Sequence, residues 1–231
     1  MGAALSATVA STTRRRMVNT RREQDCMANL HAMSRAFGIS EVPYVGVLNP
    51  LDLLEDIEAQ EVKARIEAMA PVRALRIAPG EVLEIGRLRL EPLRVTLRLL
   101  ATNWFHEHVT GTLFTSDAFA GLSRNTPDAT LVLGAEEPGP DPAALAHAMS
   151  AKFDWLAGIN PAPLLADLDA VLAGRRVTRI CPSHGCVIEG EAAVARAISA
   201  MRDAIWLLAA RPKPVWRWPD HIPDAVLQEN V

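Results

Sequence analysis

The stretch Leu113–Phe119, with the sequence LFTSDAF, places an aspartate at the end of a short apolar strand. Functional side chains concentrate at such strand ends in layered α/β domains, because loops held by a rigid scaffold carry them there. Asp117 is therefore a candidate for binding or catalysis. The same position would also suit a residue that caps a helix over 118–123, so the residue pattern leaves both roles open.

A second motif, Ile180–Gly185 (ICPSHG), presents a histidine in a tight turn. A strand predicted over 177–181 precedes it, Pro182 stiffens the turn, and Gly185 permits close approach of the backbone. Neutral imidazole is the commonest protein ligand of transition metals, which makes His184 a candidate metal ligand. A histidine that only hydrogen-bonds its own loop is the alternative.

Two cysteines flank this histidine. Cys181 and Cys186 could ligate zinc as thiolates, but the four residues between them do not match the spacing of a zinc knuckle. We expect Cys181 to pack into the core instead. The chain has three cysteines in all, so no disulfide framework is predicted and a reducing, cytoplasmic location is expected.

A third segment, Arg21–Cys26 (RREQDC), contributes two carboxylates. Glu23 and Asp25 alternate, and alternate side chains of an extended segment point the same way. A helix predicted over 26–37 follows directly. An acidic pair on a solvated loop is the alternative.

Together the three segments resemble the metal-binding loops of the metallo-β-lactamase fold, and more narrowly those of its flavodiiron and oxygen-binding diiron branch. In that branch a His-x-Glu-x-Asp-His motif supplies the first ligands, an aspartate bridges two metals, and the histidine of a Pro-Ser-His-Gly turn closes the site. The resemblance implies that the metal ligands are Glu23, Asp25, Asp117 and His184, with Cys26 as a further candidate. It implies two irons, one iron if the site is degenerate, or zinc. No catalytic residue is assigned.

Two substitutions set this chain apart from that branch. Arg21 and Cys26 stand where the family has histidines. A guanidinium stays protonated and cannot bind a cation, so we expect Arg21 to neutralise Glu23 and Asp25 in place of a metal. A Cys26 thiolate could still ligate, because a bound metal lowers the thiol pKa. The family's other histidine, upstream of Asp117, has no clean match.

A separate His-x-His pair, His106 and His108, lies just upstream of Asp117. In a strand both rings would point to one face, which is the arrangement of a metal-ligating pair. The resemblance places the pair on a hairpin that runs away from the metal loops. The sequence leaves its role open.

The resemblance implies an α/β fold, a four-layered αββα sandwich, over about residues 18–195. Hydrophobic spacing predicts helices over 26–37, 49–70, 142–158, 162–174 and 190–210, and strands over 42–47 and 177–181. Residues 72–118 read as a meander of short strands that ends in a hairpin around Thr110-Gly111. Little sequence precedes the first metal motif, so we expect the N-terminal strands to be missing, and the first sheet to be short, completed by another chain or truncated.

The predicted domain covers residues 19–210, between a leader over 1–18 and a proline-rich tail over 211–231. The leader is rich in arginine, serine and alanine, a composition typical of disordered termini and, more loosely, of transit peptides. No flavodoxin-like module, and hence no FMN domain, is expected.

Composition excludes several classes of protein. With 231 residues, 49% hydrophobic and 22% charged, the chain is predicted to be globular. Its net charge of −3 argues against a nucleic-acid partner, and no apolar run approaches the roughly 20 residues of a membrane span.

Two functions remain open. One is a metal-dependent hydrolase or diiron oxygen-binding, oxidoreductase-like protein, acting on a small-molecule substrate or dioxygen through a partly substituted dinuclear site. The other is a non-catalytic descendant of the fold that binds a partner or small molecule. Exposed sheet edges and the apolar segment Ile205–Leu208 predict a homodimer, as the resemblance also implies.

Overall fold

Two β-sheets form the framework of the protein. The structure, a computed structural model, describes residues 15–21, 30–46, 72–78, 80–97, 102–120 and 131–213. The helix predicted over 49–70 lies outside these residues, as does all of the tail beyond Lys213. Within the described residues, no helix is both long enough and apolar enough to cross a membrane.

The smaller sheet has three parallel strands in the order β1-β2-β3, which are Arg15–Arg16, Ile39–Val45 and Arg73–Ile77. The larger sheet has seven described strands in the order β4-β5-β6-β7-β9-β10-β8. These strands are β4 Leu83–Ile85, β5 Leu88–Leu93, β6 Trp104–Glu107, β7 Thr112–Ser116, β8 Val132–Leu133, β9 Arg179–Pro182 and β10 Val187–Glu189. Strands β4 to β7 are antiparallel, whereas β7 pairs with β9 in parallel.

The described helices are α1 Leu30–Phe37, α2 Pro142–Ser150, α3 Ala162–Leu172 and α4 Glu191–Ala209, with a short 3₁₀ helix at Asp154–Leu156. Helix α2 begins where the Asp141 carboxylate accepts hydrogen bonds from the first-turn amides, and Pro142 occupies its first turn. Helix α4 packs against both α2 and the larger sheet, and it buries one apolar side along its length.

Two apolar cores hold the layers together. One lies between the larger sheet and helices α2 to α4, and includes Trp104, Phe119 and Ile205. The other lies between the two sheets and is built around Ile77 and Phe105. Helix α1 covers β2 of the smaller sheet. The order helix, sheet, sheet, helix is the predicted αββα sandwich.

A buried carboxylate joins the three strands of the smaller sheet. Glu41 on β2 is 1% exposed, and its two oxygens accept hydrogen bonds from Arg16 on β1 (2.7 Å) and Arg73 on β3 (2.5 Å). Burying this charge is tolerated because it is paired on both sides. The pairing corrects two sequence predictions. Residues 15–16 belong to the sheet rather than to a leader, and β3 joins β2 rather than the meander.

Other element boundaries differ in detail. The hairpin around Thr110-Gly111 is confirmed, and so are the helices over 162–174 and 190–210. The region predicted to be helical near 142–158 contains helix α2 and the 3₁₀ helix rather than one continuous helix. Helix α2 ends at Ser150, and Phe153 then turns into the core with 1% exposure. The short strands β8 and β10 escaped prediction because two or three residues carry little periodic signal.

Candidate functional site

Asp117 stands at the end of β7 in a strained turn. Ser116 before it has φ of 53°, a conformation that few non-glycine residues adopt. The amide of Ser183, just past β9, donates to the Ser116 carbonyl at 2.7 Å and holds this turn against the neighbouring strand end. Asp117 is thereby fixed with 2% exposure. Such strain persists only where the surroundings enforce it, and it concentrates at functional sites.

His184 reaches Asp117 from the adjacent strand end. Strand β9 runs parallel to β7, so the turns that follow the two strands meet at one edge of the sheet. The His184 Nε2 atom lies 3.5 Å from Asp117 Oδ1, and the histidine side chain is about half exposed at 52%. The predicted proximity of Asp117 and His184 is therefore confirmed.

Arg21 completes this cluster. It is 3% exposed, and its backbone forms an antiparallel bridge with Thr102, just before β6. Its Nη1 donates to Asp117 Oδ1 at 2.6 Å, and its Nη2 lies 3.3 Å from His184 Nε2. The guanidinium thus engages both atoms that would face a metal.

A second cation borders the cluster. Lys152 lies two residues beyond α2, and its Nζ is 3.9 Å from Asp117 Oδ1. Its side chain is 44% exposed, so this is a weak, solvent-screened contact. Sequence reasoning missed Lys152 because it belongs to no motif, and only the packing of α2 brings it here.

The two oxygens of Asp117 differ in their contacts. A bridging aspartate offers one oxygen to each metal, but Asp117 Oδ1 is engaged by Arg21. The described contact to Oδ2 is the Ser116 hydroxyl at 3.4 Å, which is long enough to be displaced. Of the two Asp117 oxygens, Oδ2 therefore has the weaker contact within the described part of the chain.

The other predicted ligands, Glu23, Asp25 and Cys26, lie outside the described residues. The flanking cysteines are both free thiols. Cys186 is the buried one, whereas Cys181, predicted to pack into the core, is only half-buried. Burial raises the pKa of the Cys181 thiol, which disfavours the thiolate that a metal would need.

His106 and His108 lie away from this cluster, as the resemblance implies. His106 pairs with Leu113 across the hairpin, four residues before Asp117 and thus about 13 Å along the strand. The two rings do share a face, with centroids 4.9 Å apart, and Glu91 joins them. This second group of potential ligands is separate from Asp117.

Comparison with solved structures places this geometry in a known fold. The chain aligns with rubredoxin oxygen:oxidoreductase from Desulfovibrio gigas over 88% of its length, with a TM-score of 0.58 and 17% identity. It aligns with a flavodiiron protein from Thermotoga maritima over 87%, with a TM-score of 0.59 and 15% identity. The fold is the metallo-β-lactamase-like core of flavodiiron proteins.

The metallo-β-lactamase-like core accounts for only part of those proteins. The chain spans slightly less than half of them, 46% and 45% of their respective lengths. The chain also aligns with the peroxy diiron species of a chemotaxis sensor, at a TM-score of 0.54 and 9% identity. This alignment covers 91% of the present chain and 76% of the sensor chain. No family model and no curated protein matches the sequence.

Proposed function

We propose that this protein is a metal-dependent member of the metallo-β-lactamase fold, oxidoreductase-like, in which Arg21 has replaced one metal of a dinuclear site. The observation that carries the proposal is the 2.6 Å pair between Arg21 Nη1 and Asp117 Oδ1. Solved structures of the same fold support the type of chemistry, since they include a flavodiiron protein and a chemotaxis sensor in a peroxy diiron form.

The remaining metal would be a single iron or zinc ion on the Oδ2 side of Asp117. Glu23, Asp25 and Cys26 are its further candidate ligands, because they follow Arg21 directly in the chain. Such a metal would supply redox chemistry towards dioxygen if iron, or Lewis-acid activation of water for hydrolysis if zinc.

Arg21 would then act as a fixed positive charge beside the metal. It orients the Asp117 carboxylate through Oδ1 and stays charged at any working pH. The Lys152 ammonium adds a second, exposed cation on the same side. Together these cations favour a small anionic or polar substrate at the solvent-facing edge formed by His184.

A second candidate function is a non-catalytic binding protein. It is favoured by the way Arg21 engages both Asp117 Oδ1 and His184 Nε2, because an ion pair that satisfies the buried carboxylate removes the need for a metal. The two candidates differ in metal content.

Metal analysis of protein purified without chelator separates the candidates. Apart from any metal held by Glu91, His106 and His108, we expect the wild type to carry one equivalent of iron or zinc at most. Arg21→His with Cys26→His should carry more, because two neutral imidazole ligands replace a fixed cation and a thiol. Arg21→Lys retains the cation and should stay at the wild-type level. Wild type free of metal would favour the binding protein. Unchanged metal content in the double variant would refute replacement of a metal by Arg21.

We further propose a homodimer at micromolar concentration. Helix α4 buries Ile205 and Leu208 against its own core but exposes Trp206 (54%) and Leu207 (46%) side by side. Light scattering should give about twice the 25.1 kDa chain mass, and Trp206→Glu should shift the protein towards monomer. A wild-type monomer across that range would refute the dimer.

We also propose that the protein works in a reducing compartment, the cytoplasm. The thiols of Cys181 and Cys186 are free although only four residues separate them. Fractionation of cells that express the tagged full-length gene tests this, and recovery from an oxidising compartment would contradict it.

A further inference from the structure

We propose that Glu91, His106 and His108 form a second metal site, suited to Zn²⁺, near the hairpin that joins β6 and β7, whereas Asp117 follows the other end of β7. Two imidazole nitrogens and one carboxylate oxygen are a common zinc ligand set that leaves a fourth position for water. One ligand atom of each residue can be chosen so that all three lie within 4.8 Å of one another.

The backbone brings the three side chains together. Glu91 on β5 is the direct cross-strand partner of His106 on β6. His108 follows two residues later, just past the end of β6, so its ring lies on the same face as that of His106. Directly opposed residues on paired strands are close enough for side chains to share a ligand.

One ring nitrogen of His106 is held by a backbone carbonyl. Its Nε2 atom lies 3.0 Å from the carbonyl oxygen of Arg176, which can only accept, so Nε2–H donates to it. The other ring nitrogen, Nδ1, is the one left for a metal. It is buried, on a residue that is 3% exposed, and has no hydrogen-bond partner within the described part of the chain.

An orphaned buried nitrogen of this kind is costly unless something binds it. A histidine whose second nitrogen donates to a backbone carbonyl is also the usual arrangement of a metal ligand, because that hydrogen bond fixes the tautomer and the ring orientation. A zinc ion on Nδ1 would satisfy the orphaned atom.

His108 and Glu91 supply the other two ligand atoms. The distance from His108 Nε2 to Glu91 Oε2 is 3.1 Å. Tetrahedral zinc with ligand bonds of about 2.0–2.1 Å separates its ligand atoms by roughly 3.3 Å, so this pair is already close to the required spacing. The His108 side chain is 32% exposed, which gives an ion and a water molecule access from solvent.

Arg175 orients the carboxylate of this site. It donates to Glu91 Oε1 from Nη2 at 2.6 Å and to Oε2 from Nε at 3.2 Å. The hydrogen bond from Arg175 holds the pKa of Glu91 below its usual range, with a further contribution from His108, so the carboxylate is ionised. The positive charge of Arg175 also competes with a bound cation, so we expect the zinc affinity of the site to be moderate rather than tight.

A calorimetric titration of the metal-stripped full-length protein with Zn²⁺ tests the site. We expect His108→Gln to lose one zinc equivalent or bind it at least about tenfold more weakly. His147→Gln, an exposed histidine on α2, should bind as the wild type does. Arg175→Gln should bind zinc several-fold more tightly, because it removes the competing cation.

The variants also separate this site from the Asp117 cluster. His184→Gln should retain the zinc equivalent that His108→Gln loses. His108 is partly exposed, so far-UV circular dichroism of His108→Gln should match the wild type. Wild-type protein that binds no zinc at micromolar concentration, or equal zinc binding by wild type and His108→Gln, would overturn the proposal.

Discussion

Replacing Arg21 with alanine is expected to destabilise the protein by about 3–5 kcal/mol, because Asp117 would keep its charge in a buried position without its main partner. Asp117 is 2% exposed and Arg21 is 3% exposed, so neither charge is well solvated. The remaining cation, Lys152, lies 3.9 Å away and half in solvent, and it compensates little. Urea unfolding in the presence of a chelator measures the change.

A double-mutant cycle separates the pair from its parts. Arg21→Ala combined with Asp117→Ala should be considerably more stable than the sum of the two single losses predicts, because no unpaired charge remains. The exposed pair Arg89–Glu84 is the matched control, and Arg89→Ala should cost less than about 1 kcal/mol. A loss below about 1 kcal/mol in Arg21→Ala would mean that the guanidinium does not hold Asp117.

The site was partly predictable because its motifs end adjacent strands. Asp117 follows β7 and His184 follows β9, and the parallel pairing of these strands brings the two motifs to one edge. The sequence shows that each residue ends a strand. It does not show which strands pair across more than 60 residues, and only the resemblance to known metal loops linked them.

The ion pair between Arg21 and Asp117 was not predictable from local sequence, because 96 residues separate the two side chains. The predicted pairing of Arg21 with Glu23 and Asp25 stays a prediction, since both carboxylates lie outside the described residues. The backbone bridge from Arg21 to Thr102 determines the pair with Asp117, because it fixes residue 21 beside the first residues of β6. Such a bridge leaves no periodic pattern in either segment.

Similar reasoning applies to β3. The predicted meander over 72–118 correctly includes a strand at Arg73–Ile77, but which strand β3 pairs with depends on charge as well as on order along the chain. Arg73 on β3 reaches the buried Glu41 of β2, which places β3 in the smaller sheet. Long helices such as α4, by contrast, carry enough turns for their apolar side to be recognised from spacing alone.

The hairpin between β6 and β7 depends on another buried carboxylate. Glu107, 4% exposed, accepts hydrogen bonds from the amides of Arg89, Val109 and Thr110 and from the Thr110 hydroxyl. Burial acts to raise the pKa of Glu107 and is the largest single influence. The hydrogen bonds, led by that from the Thr110 side chain, together outweigh it and lower the pKa to about 2.

Acid should therefore weaken the protein through Glu107. A folded-state pKa of about 2, against 4.5 for the ordinary carboxyl, gives a stabilisation that is complete well above pH 4.5 and is lost as the pH falls towards 2. The full contribution is about 3 kcal/mol, of which about 2 kcal/mol should be gone by pH 3.

Comparison of the wild type with Glu107→Gln isolates this contribution from the other carboxylates. An amide would turn its NH₂ group towards donors that need an acceptor, so Glu107→Gln should be about 2–3 kcal/mol less stable at pH 7. The difference in unfolding free energy should shrink towards pH 3, because the wild type then loses its own charge. Glu84→Gln, on an exposed side chain, should show no such convergence. A wild-type advantage that stayed constant from pH 7 to pH 3 would show that Glu107 stabilises the hairpin by packing rather than by its charge.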